Sequence, residues 1–344
     1  MKYFKKSLLL LLLLVVGYCI WQRELVAYGF RQAKGQFTVL YDAKPVNEVL
    51  ADVSFPDSLK TKIKLIQEIK RFAVDSLGLE PSKSYGTFYD QGGKPLIWTV
   101  TAAKPFQLEA KTWDFPIIGR FSYKGHFDLA RTNAEADALK AAGFDTQVNE
   151  VSAWSTLGWL NDPILSSMLN RSDGQLAALI IHELTHGTLF TGTDLTFNEN
   201  LADFVGDYGA TRFLASKYGQ KSKQVQRYEL SKRYYDAYTM HIVAGAQQLD
   251  SLYKAIDKRP LAEKRQLKDA LIKDIVVAAD TLLGGQFKQP GRRFNADNLP
   301  NNAFFVGFLT YRSKQNQFQE EFNRKFAGDF PVYLKYLKGK YHSI

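Results

Sequence analysis

The sequence predicts an α+β protein in which a part with a small mixed β-sheet precedes a mainly α-helical part. Strand-like segments, with one helix among them, lie between residues 95 and 151. From Ser166 onward the apolar residues recur almost entirely at helical spacing. With 344 residues, 45% of them hydrophobic, the chain can bury a sizeable core in one large domain or two. The predicted organisation is an N-terminal segment over 1–22, a mixed α/β part over 23–165 and a helical part over 166–344, with 23–344 as one compact domain the alternative.

The first 22 residues resemble a targeting segment. Three lysines precede an apolar run from Leu8 to Trp21, and no small-x-small cleavage site follows. The run is shorter than the roughly 20 residues of a transmembrane helix. We expect an uncleaved signal anchor, with a cleaved signal peptide as the alternative. An anchor with its lysines in the cytoplasm would place the body in the cell envelope, on the periplasmic side of the membrane. Cys19, the only cysteine, lies in this segment, so the body has no disulfide.

In the mixed part, the spacing of apolar residues predicts the helices and strands, and glycines indicate where they end. Residues 23–42 predict a short connecting helix that runs into a strand. The stretch "SLKTKIKLIQEIKRFAVDSLGL", residues 58–79, has the apolar spacing of a helix that stops at Gly78. Strands are predicted at 95–103, 116–127 and 143–151, with a helix, "DLARTNAEADALKAAG", between the last two.

The second half predicts a series of helices. A long helix from about Gln224 to Ile256 is followed by another from Leu261 to Leu283, opened by Pro260. The short connection favours an antiparallel helical hairpin. Glycines and a proline between 284 and 291 indicate a loop before the final helices.

The stretch "SDGQLAALIIHELTHGTLF" carries the strongest chemical signal. Ser172 and Gln175 have the spacing of a capping box, which predicts a helix start. His182 and His186, four residues apart, lie on one face of that apolar helix, with Glu183 beside them. Burying these groups without partners would be expensive, and a metal ion supplies partners. A catalytic zinc takes three protein ligands and leaves one position open, so a third ligand is expected.

The third ligand is expected in "TFNENLADFVGDYGA". Glu199, thirteen residues after His186, is the best candidate. Asp203 lies one turn further along the same face and is predicted to orient one of the two histidines through a hydrogen bond. The alternative is that Glu199 only caps its own helix, since Thr196-x-x-Glu199 also has capping-box spacing.

This pair of motifs resembles the gluzincin metallopeptidases. Their thermolysin-like members carry HELTH followed by NE-x-x-x-D, which match residues 182–186 and 198–203 here with a shorter gap between the motifs. The resemblance implies a zincin-type catalytic part. It also implies one Zn²⁺ ion bound by His182, His186 and Glu199, with Glu183 as the general base.

A closer resemblance is to the bacterial "putative aminopeptidase" family of membrane-associated HExxH proteins. It extends from about residue 35 to the C-terminal region. This resemblance implies a zinc-dependent peptidase, an aminopeptidase by the family's name, with a peptide substrate and a membrane association. The segments that carry it include "GQFTVLYDAKPV", "FPIIGRFSYKGHFD", "AWSTLGWLNDPIL", "HELTHGTLF", "FNENLADFVGDYGA" and "LPNNAFFVGFLTY".

Two further roles remain to be filled in such an enzyme. A donor to the developing oxyanion is needed besides the metal, and Tyr311 is the first candidate. An acid that binds the free amine of a substrate could be Glu150, in the strand before the helix that carries His182 and His186. The alternatives are an ordinary packed tyrosine and a solvent-facing glutamate, and exopeptidase against endopeptidase stays open. Rivals of Tyr311 are Tyr208, Tyr235 and His241.

The formal charge of +10 does not indicate a nucleic-acid site. The densest basic stretches are helical in period and mixed with acids, which is typical of solvated helix faces. No nucleic acid and no obligate protein partner is expected. The rival functions are a membrane-anchored envelope scaffold or binding protein with a structural zinc, and a membrane-surface or polymer-binding domain without peptidase activity. The intact Glu183 favours the peptidase, because a structural zinc site needs no base.

Overall fold

The computed structural model describes residues 2–115, 119–151, 160–191, 194–285, 294–295, 297–312 and 315–341. Within these residues the protein is mixed α+β and mainly helical. The helices are α1 (Lys2–Trp21), α2 (Arg23–Asp42), α3 (Val46–Ala51), α4 (Asp57–Leu77), α5 (Leu129–Ala141), α6 (Asp173–His186), α7 (Leu195–Tyr218), α8 (Lys223–Ala255), α9 (Leu261–Ala278), α10 (Asn302–Arg312), α11 (Gln315–Phe326) and α12 (Phe330–Lys340). The strands are β1 (Lys44–Pro45), β2 (Thr87–Tyr89), β3 (Ile97–Ala103), β4 (Trp113–Phe115), β5 (Gly119–Phe121), β6 (Lys124–His126), β7 (Asp145–Val151) and β8 (Ile164–Leu165).

The chain divides into two units, Met1–Ala43 and Lys44–Ile344. The first contains α1 and α2. Among the described residues, no helix combines the length and the apolar character needed to cross a membrane, so the predicted transmembrane segment is not supported. The prediction of a strand before residue 42 is wrong, because α2 continues to Asp42. Extended backbone begins only next to Pro45, where the proline ring disfavours a helical conformation for Lys44.

The described strands of the second unit form three small sheets. The largest, in the order β6-β3-β7, is antiparallel and pairs Ile97 with Val151. This confirms the strands predicted at 95–103 and 143–151. A mixed sheet, β1-β2-β8, combines an antiparallel and a parallel pair. The strand predicted at 116–127 consists of shorter pieces, β5 and β6, and its residues 116–118 lie outside the described part.

Most of the core forms around α4, α6 and α7. On the predicted apolar stripe of α4, Ile63, Ile66 and Ile69 are fully buried, and the helix ends before Gly78 as expected. The helices α11 and α12 close this core with aromatic rings against α7. A second cluster joins α8, α9 and α10, so the predicted helical hairpin of α8 and α9 packs on itself.

The helices α6 and α7 approach each other closely at Gly206. A β-carbon added there would lie 2.7 Å from the carbonyl oxygen of Ala178 and 3.2 Å from Cβ of His182. Only a residue without a side chain allows this contact. The close approach brings one face of α7 directly against the histidine-bearing face of α6.

Candidate metal centre

The helix α6 begins as its sequence predicts. The Ser172 side chain accepts a hydrogen bond from the Gln175 backbone, and the Gln175 side chain accepts one from the Ser172 backbone, which completes the capping box. The buried residues of the helix include Leu176, Ile180 and His186. The rigid start and the buried face fix where the two histidines point.

The helix α7 is capped by Asp194, whose Oδ1 accepts a hydrogen bond from the Phe197 backbone at 2.8 Å. The alternative interpretation, in which Thr196 is the cap and Glu199 completes its capping box, is therefore wrong. Glu199 lies in the second turn of α7 and faces the histidines of α6 instead.

Three potential ligand side chains converge between α6 and α7. Nε2 of His182 and Nε2 of His186 are 3.2 Å apart. The carboxylate of Glu199 places Oε2 at 3.5 Å from His182 Nε2 and Oε1 at 3.8 Å from His186 Nε2. In the part of the chain that the structure describes, these residues form the one group of three such side chains whose ligand atoms lie within 4.8 Å of one another.

This donor set fits a zinc ion. With zinc–ligand distances near 2.0–2.1 Å, the ligand atoms of a tetrahedral site lie about 3.3–3.4 Å apart, close to the observed separations. Nδ1 of His186 is buried and has no hydrogen-bond partner among the described residues. The Nε2 atoms of the half-buried His182 and the buried His186 face each other and Glu199, so one metal ion between them could bind all three side chains.

Asp203 fixes the orientation of His182. Its Oδ1 lies 2.9 Å from His182 Nδ1, which leaves His182 Nε2 facing His186 and Glu199. A carboxylate behind a ligating histidine sets its tautomer and increases its basicity. The sequence anticipated a contact of this kind from spacing alone.

The electrostatics of the cluster follow from burial and close pairing. Burial lowers the pKa of His182, but its hydrogen bonds to Asp203 and Glu199 outweigh this and raise it well above the usual value. Burial and the charge of His182 lower the pKa of His186 to about 4. Burial raises the pKa of Glu199, but the hydrogen bond from His182 and the charge of His186 lower it overall. In the metal-free site Glu199 is therefore ionised, His186 is uncharged and His182 carries a proton, which a bound metal ion would displace.

Glu183, the next residue of α6, is half-buried beside this group. Burial raises the pKa of the nearby Tyr85 phenol well above its usual value. The negative charges of Glu183 and Asp162 raise it further. Tyr85 is 1% exposed and has a φ of 64°, a conformation that is uncommon for a bulky residue. No spacing rule indicates this tyrosine, because its conformation arises from tertiary contacts of the loop before β2.

The other candidates from the sequence lie elsewhere. Glu150 is exposed on β7, a strand that packs mainly against β3, α5 and α10. The side chain of Tyr311, in α10, lies outside the described residues. Among its rivals, Tyr208 stacks on Phe330 with ring centroids 4.8 Å apart, and His241 Nε2 lies 2.7 Å from the Ile275 carbonyl oxygen. Tyr235 is half-buried on α8.

A third carboxylate on α7, Asp207, was not among the predicted site residues. Asp207 follows Glu199 and Asp203 at the same four-residue interval, so the signal was present in the spacing. Its partners lie on α8, which no local pattern reveals.

Comparison with known proteins identifies the family. The family model described as "Putative aminopeptidase" matches residues 27–339, which is nearly the whole chain. No curated protein and no solved structure is significantly similar to the chain.

Proposed function

Because the chain belongs to the family described as "Putative aminopeptidase", we propose that it is a zinc-dependent peptidase of gluzincin type. Its zinc ligands would be His182, His186 and Glu199. The observation that carries this proposal is the convergence of these three side chains within 4.8 Å of one another, with Asp203 behind His182. A surface cluster of acids and histidines would not need such burial or such an orienting contact.

In this proposal Glu183 is the general base. A zinc ion held here supplies a Lewis acid that polarises a peptide carbonyl and acidifies a water molecule. Glu183 follows His182 directly in α6 and therefore projects beside the ligands without being one of them. It accepts the proton of the attacking water and then passes it to the nitrogen of the leaving amine.

Contacts on α6 hold Glu183 in the position that a general base requires. Asp203 orients His182, and the buried face of α6 limits the motion of the backbone that carries both His182 and Glu183. A base that is held in place loses little entropy when the substrate arrives. The half-buried position leaves Glu183 accessible to a bound peptide.

The proposed substrate is a peptide with a free N-terminus. The family name supports this preference. An acid that binds the amine would have to lie beside the metal. Glu150 is a weak candidate for this role, because it is exposed on β7, a strand that packs mainly against β3, α5 and α10 and not against the metal-binding helices.

Hydrolysis of matched peptides tests the function. The full chain would be loaded with zinc and assayed on peptides with free and with acetylated N-termini, as wild type, Glu183→Gln and Glu320→Gln. Glu320 is an exposed acid of α11 and serves as the control. We expect Glu183→Gln to keep its zinc and lose at least 100-fold in kcat, within the range that general-base catalysis supplies, while Glu320→Gln behaves as wild type.

The two peptide sets separate the possible outcomes. Cleavage of free peptides alone would support an aminopeptidase. Equal cleavage of acetylated peptides would indicate an endopeptidase with the same site. Stoichiometric zinc with no hydrolysis of either peptide set would contradict the proposed activity and favour a structural zinc site.

A further inference from the structure

The carboxylates of α7 continue past the metal-binding group. Glu199, Asp203 and Asp207 recur at four-residue intervals and therefore lie along one side of the helix. Glu199 faces the histidines and Asp203 contacts His182. Asp207 contacts polar side chains of α8.

Two side chains of α8 hold Asp207. The hydroxyl of Tyr228 donates a hydrogen bond to Asp207 Oδ1 at 2.8 Å, and Lys232 Nζ lies 3.2 Å from Asp207 Oδ2. Lys232 is also paired with Asp236, at 2.6 Å. The Lys232 and Asp207 side chains are 33% and 26% exposed, so this pair is partly shielded from solvent. Burial raises the pKa of Asp207, and the charge of Lys232 with the hydrogen bond from Tyr228 opposes this change.

Tyr228 also contacts the helix that bears the histidines. A β-carbon added to Gly174, in the first turn of α6, would lie 2.4 Å from the Tyr228 ring. The tyrosine ring therefore packs directly on the α6 backbone while its hydroxyl binds α7. Through this residue, α8 fixes the position of α7 along α6.

We propose that Tyr228 and Lys232 of α8 are positioning residues, which hold Asp207 and thereby set the register of α7 that brings Glu199 to His182 and His186. This inference rests on the proposed function only in taking the three residues as zinc ligands. Glu199 and Asp207 are eight residues apart on one rigid helix, so a shift of α7 at Asp207 moves Glu199 as well. A displacement of a few tenths of an ångström matters at a site with fixed ligand distances.

The charge of Lys232 makes the test decisive. By electrostatics alone, removing a cation near the site would strengthen the binding of Zn²⁺. Loss of positioning has the opposite effect, because Glu199 no longer meets the histidines correctly. The sign of the change in zinc affinity therefore distinguishes the two.

The experiment measures zinc affinity by competition with a chromogenic chelator, on full-length wild type, Lys232→Met, Lys232→Arg and Tyr228→Phe. The control is Lys254→Met, since Lys254 forms an ion pair with Asp250 on the same helix, also at 2.6 Å and four residues apart. We expect Lys232→Met and Tyr228→Phe to raise the zinc Kd by about 3- to 10-fold, below the 10- to 100-fold typical of a direct second partner of a ligand. Lys232→Arg should recover most of the affinity, and Lys254→Met should match wild type.

Thermal unfolding of the metal-free proteins accompanies these measurements. A purely structural role would lower the Tm of the metal-free variants and leave the zinc Kd unchanged. That result, or tighter zinc binding by Lys232→Met, would overturn the inference. If the wild type itself bound no zinc, the proposed function would fail instead, so the two failures are distinguishable.

The Tyr228→Phe variant keeps the aromatic ring against Gly174 and removes only the hydroxyl, so it retains the packing between α6 and α8.

Discussion

Asp203 Oδ1 lies 2.9 Å from Nδ1 of His182, and the other nitrogen of the same ring faces His186 and Glu199. One carboxylate of α7 thus orients a histidine of α6, while another, one turn earlier, approaches it as a potential fellow ligand. The two contacts join the same two helices, so the geometry of the site and the packing of α6 on α7 depend on each other.

Replacing Asp203 by asparagine tests the orienting contact. The asparagine side chain would keep the size and an acceptor oxygen of the aspartate but lose its charge, so His182 would become a less basic ligand. We expect the zinc Kd of Asp203→Asn to rise by about 10- to 100-fold. Chelator competition measures this change, with Asp137→Asn, an exposed acid of α5, as the control. An unchanged zinc Kd in Asp203→Asn would mean that the contact does not support a ligand.

Replacing Gly206 by alanine tests the close approach of α6 and α7. The new methyl group would meet the Ala178 carbonyl at 2.7 Å, so the helices must separate beside His182. We expect a loss of about 1–3 kcal/mol in the free energy of unfolding, typical of overpacking, together with weaker zinc binding. Denaturant titration measures the stability. Gly339→Ala is the control, because Gly339 lies in α12 with nothing within 4 Å of an added methyl, and there alanine should be neutral or stabilising. Equal behaviour of the two variants would refute the steric account.

The half-buried Glu135 predicts a dependence of stability on pH. Burial raises its pKa, but hydrogen bonds from His126, Lys124 and Trp113 outweigh this and lower it to about 2. Because the pKa is lower in the folded state, the stabilisation is complete above the unfolded value near 4.5 and is lost as the pH falls toward 2. Glu135→Gln should therefore cost at most about 3 kcal/mol at pH 7, and its difference from wild type should shrink below pH 4.5. Denaturant titrations across this pH range provide the measurement, and a difference that stays constant would contradict the assignment.

The Asn302 side chain tests a structural role for the segment "LPNNAFFVGFLTY". Asn302 is 0% exposed, and its Nδ2 donates hydrogen bonds to the carbonyl oxygens of Lys104, Pro105 and Gln107. Its Oδ1 accepts a hydrogen bond from the Tyr253 hydroxyl at 2.6 Å. Asn302→Ala leaves these buried groups unpaired, so we expect a loss of about 2–4 kcal/mol in the free energy of unfolding. Tyr253→Phe removes a single bond and should cost about 1 kcal/mol. A loss of less than about 1 kcal/mol in Asn302→Ala would show that the network is dispensable.

Local spacing in the sequence anticipated which side chains of the candidate site lie close together. The four-residue spacing of His182 and His186, and the same spacing of Glu199 and Asp203, belong to helix geometry, so local pattern was enough to anticipate which side chains share a face. The capping box at Ser172 was equally readable, because both of its partners lie within one turn.

What the sequence missed depends on tertiary contacts. Tyr228 and Lys232 meet Asp207 across two helices, and no periodicity links them. The strand expected before residue 42 failed because the apolar residues there fit a helix as well as a strand, and only the start of extended structure next to Pro45 marks the boundary. Short apolar runs of this kind are ambiguous by period alone.

The most direct test of the central claim is the zinc content of the purified full-length chain and of Glu199→Ala. Both proteins would be stripped of metal, reconstituted with zinc, freed of excess by gel filtration and analysed by atomic emission, with Glu320→Ala as the control. We expect one zinc ion per chain in the wild type and in Glu320→Ala, and a zinc content near zero in Glu199→Ala. A wild type without zinc, or a Glu199→Ala variant that binds zinc as tightly as the wild type, would contradict the assignment of His182, His186 and Glu199 as the metal centre.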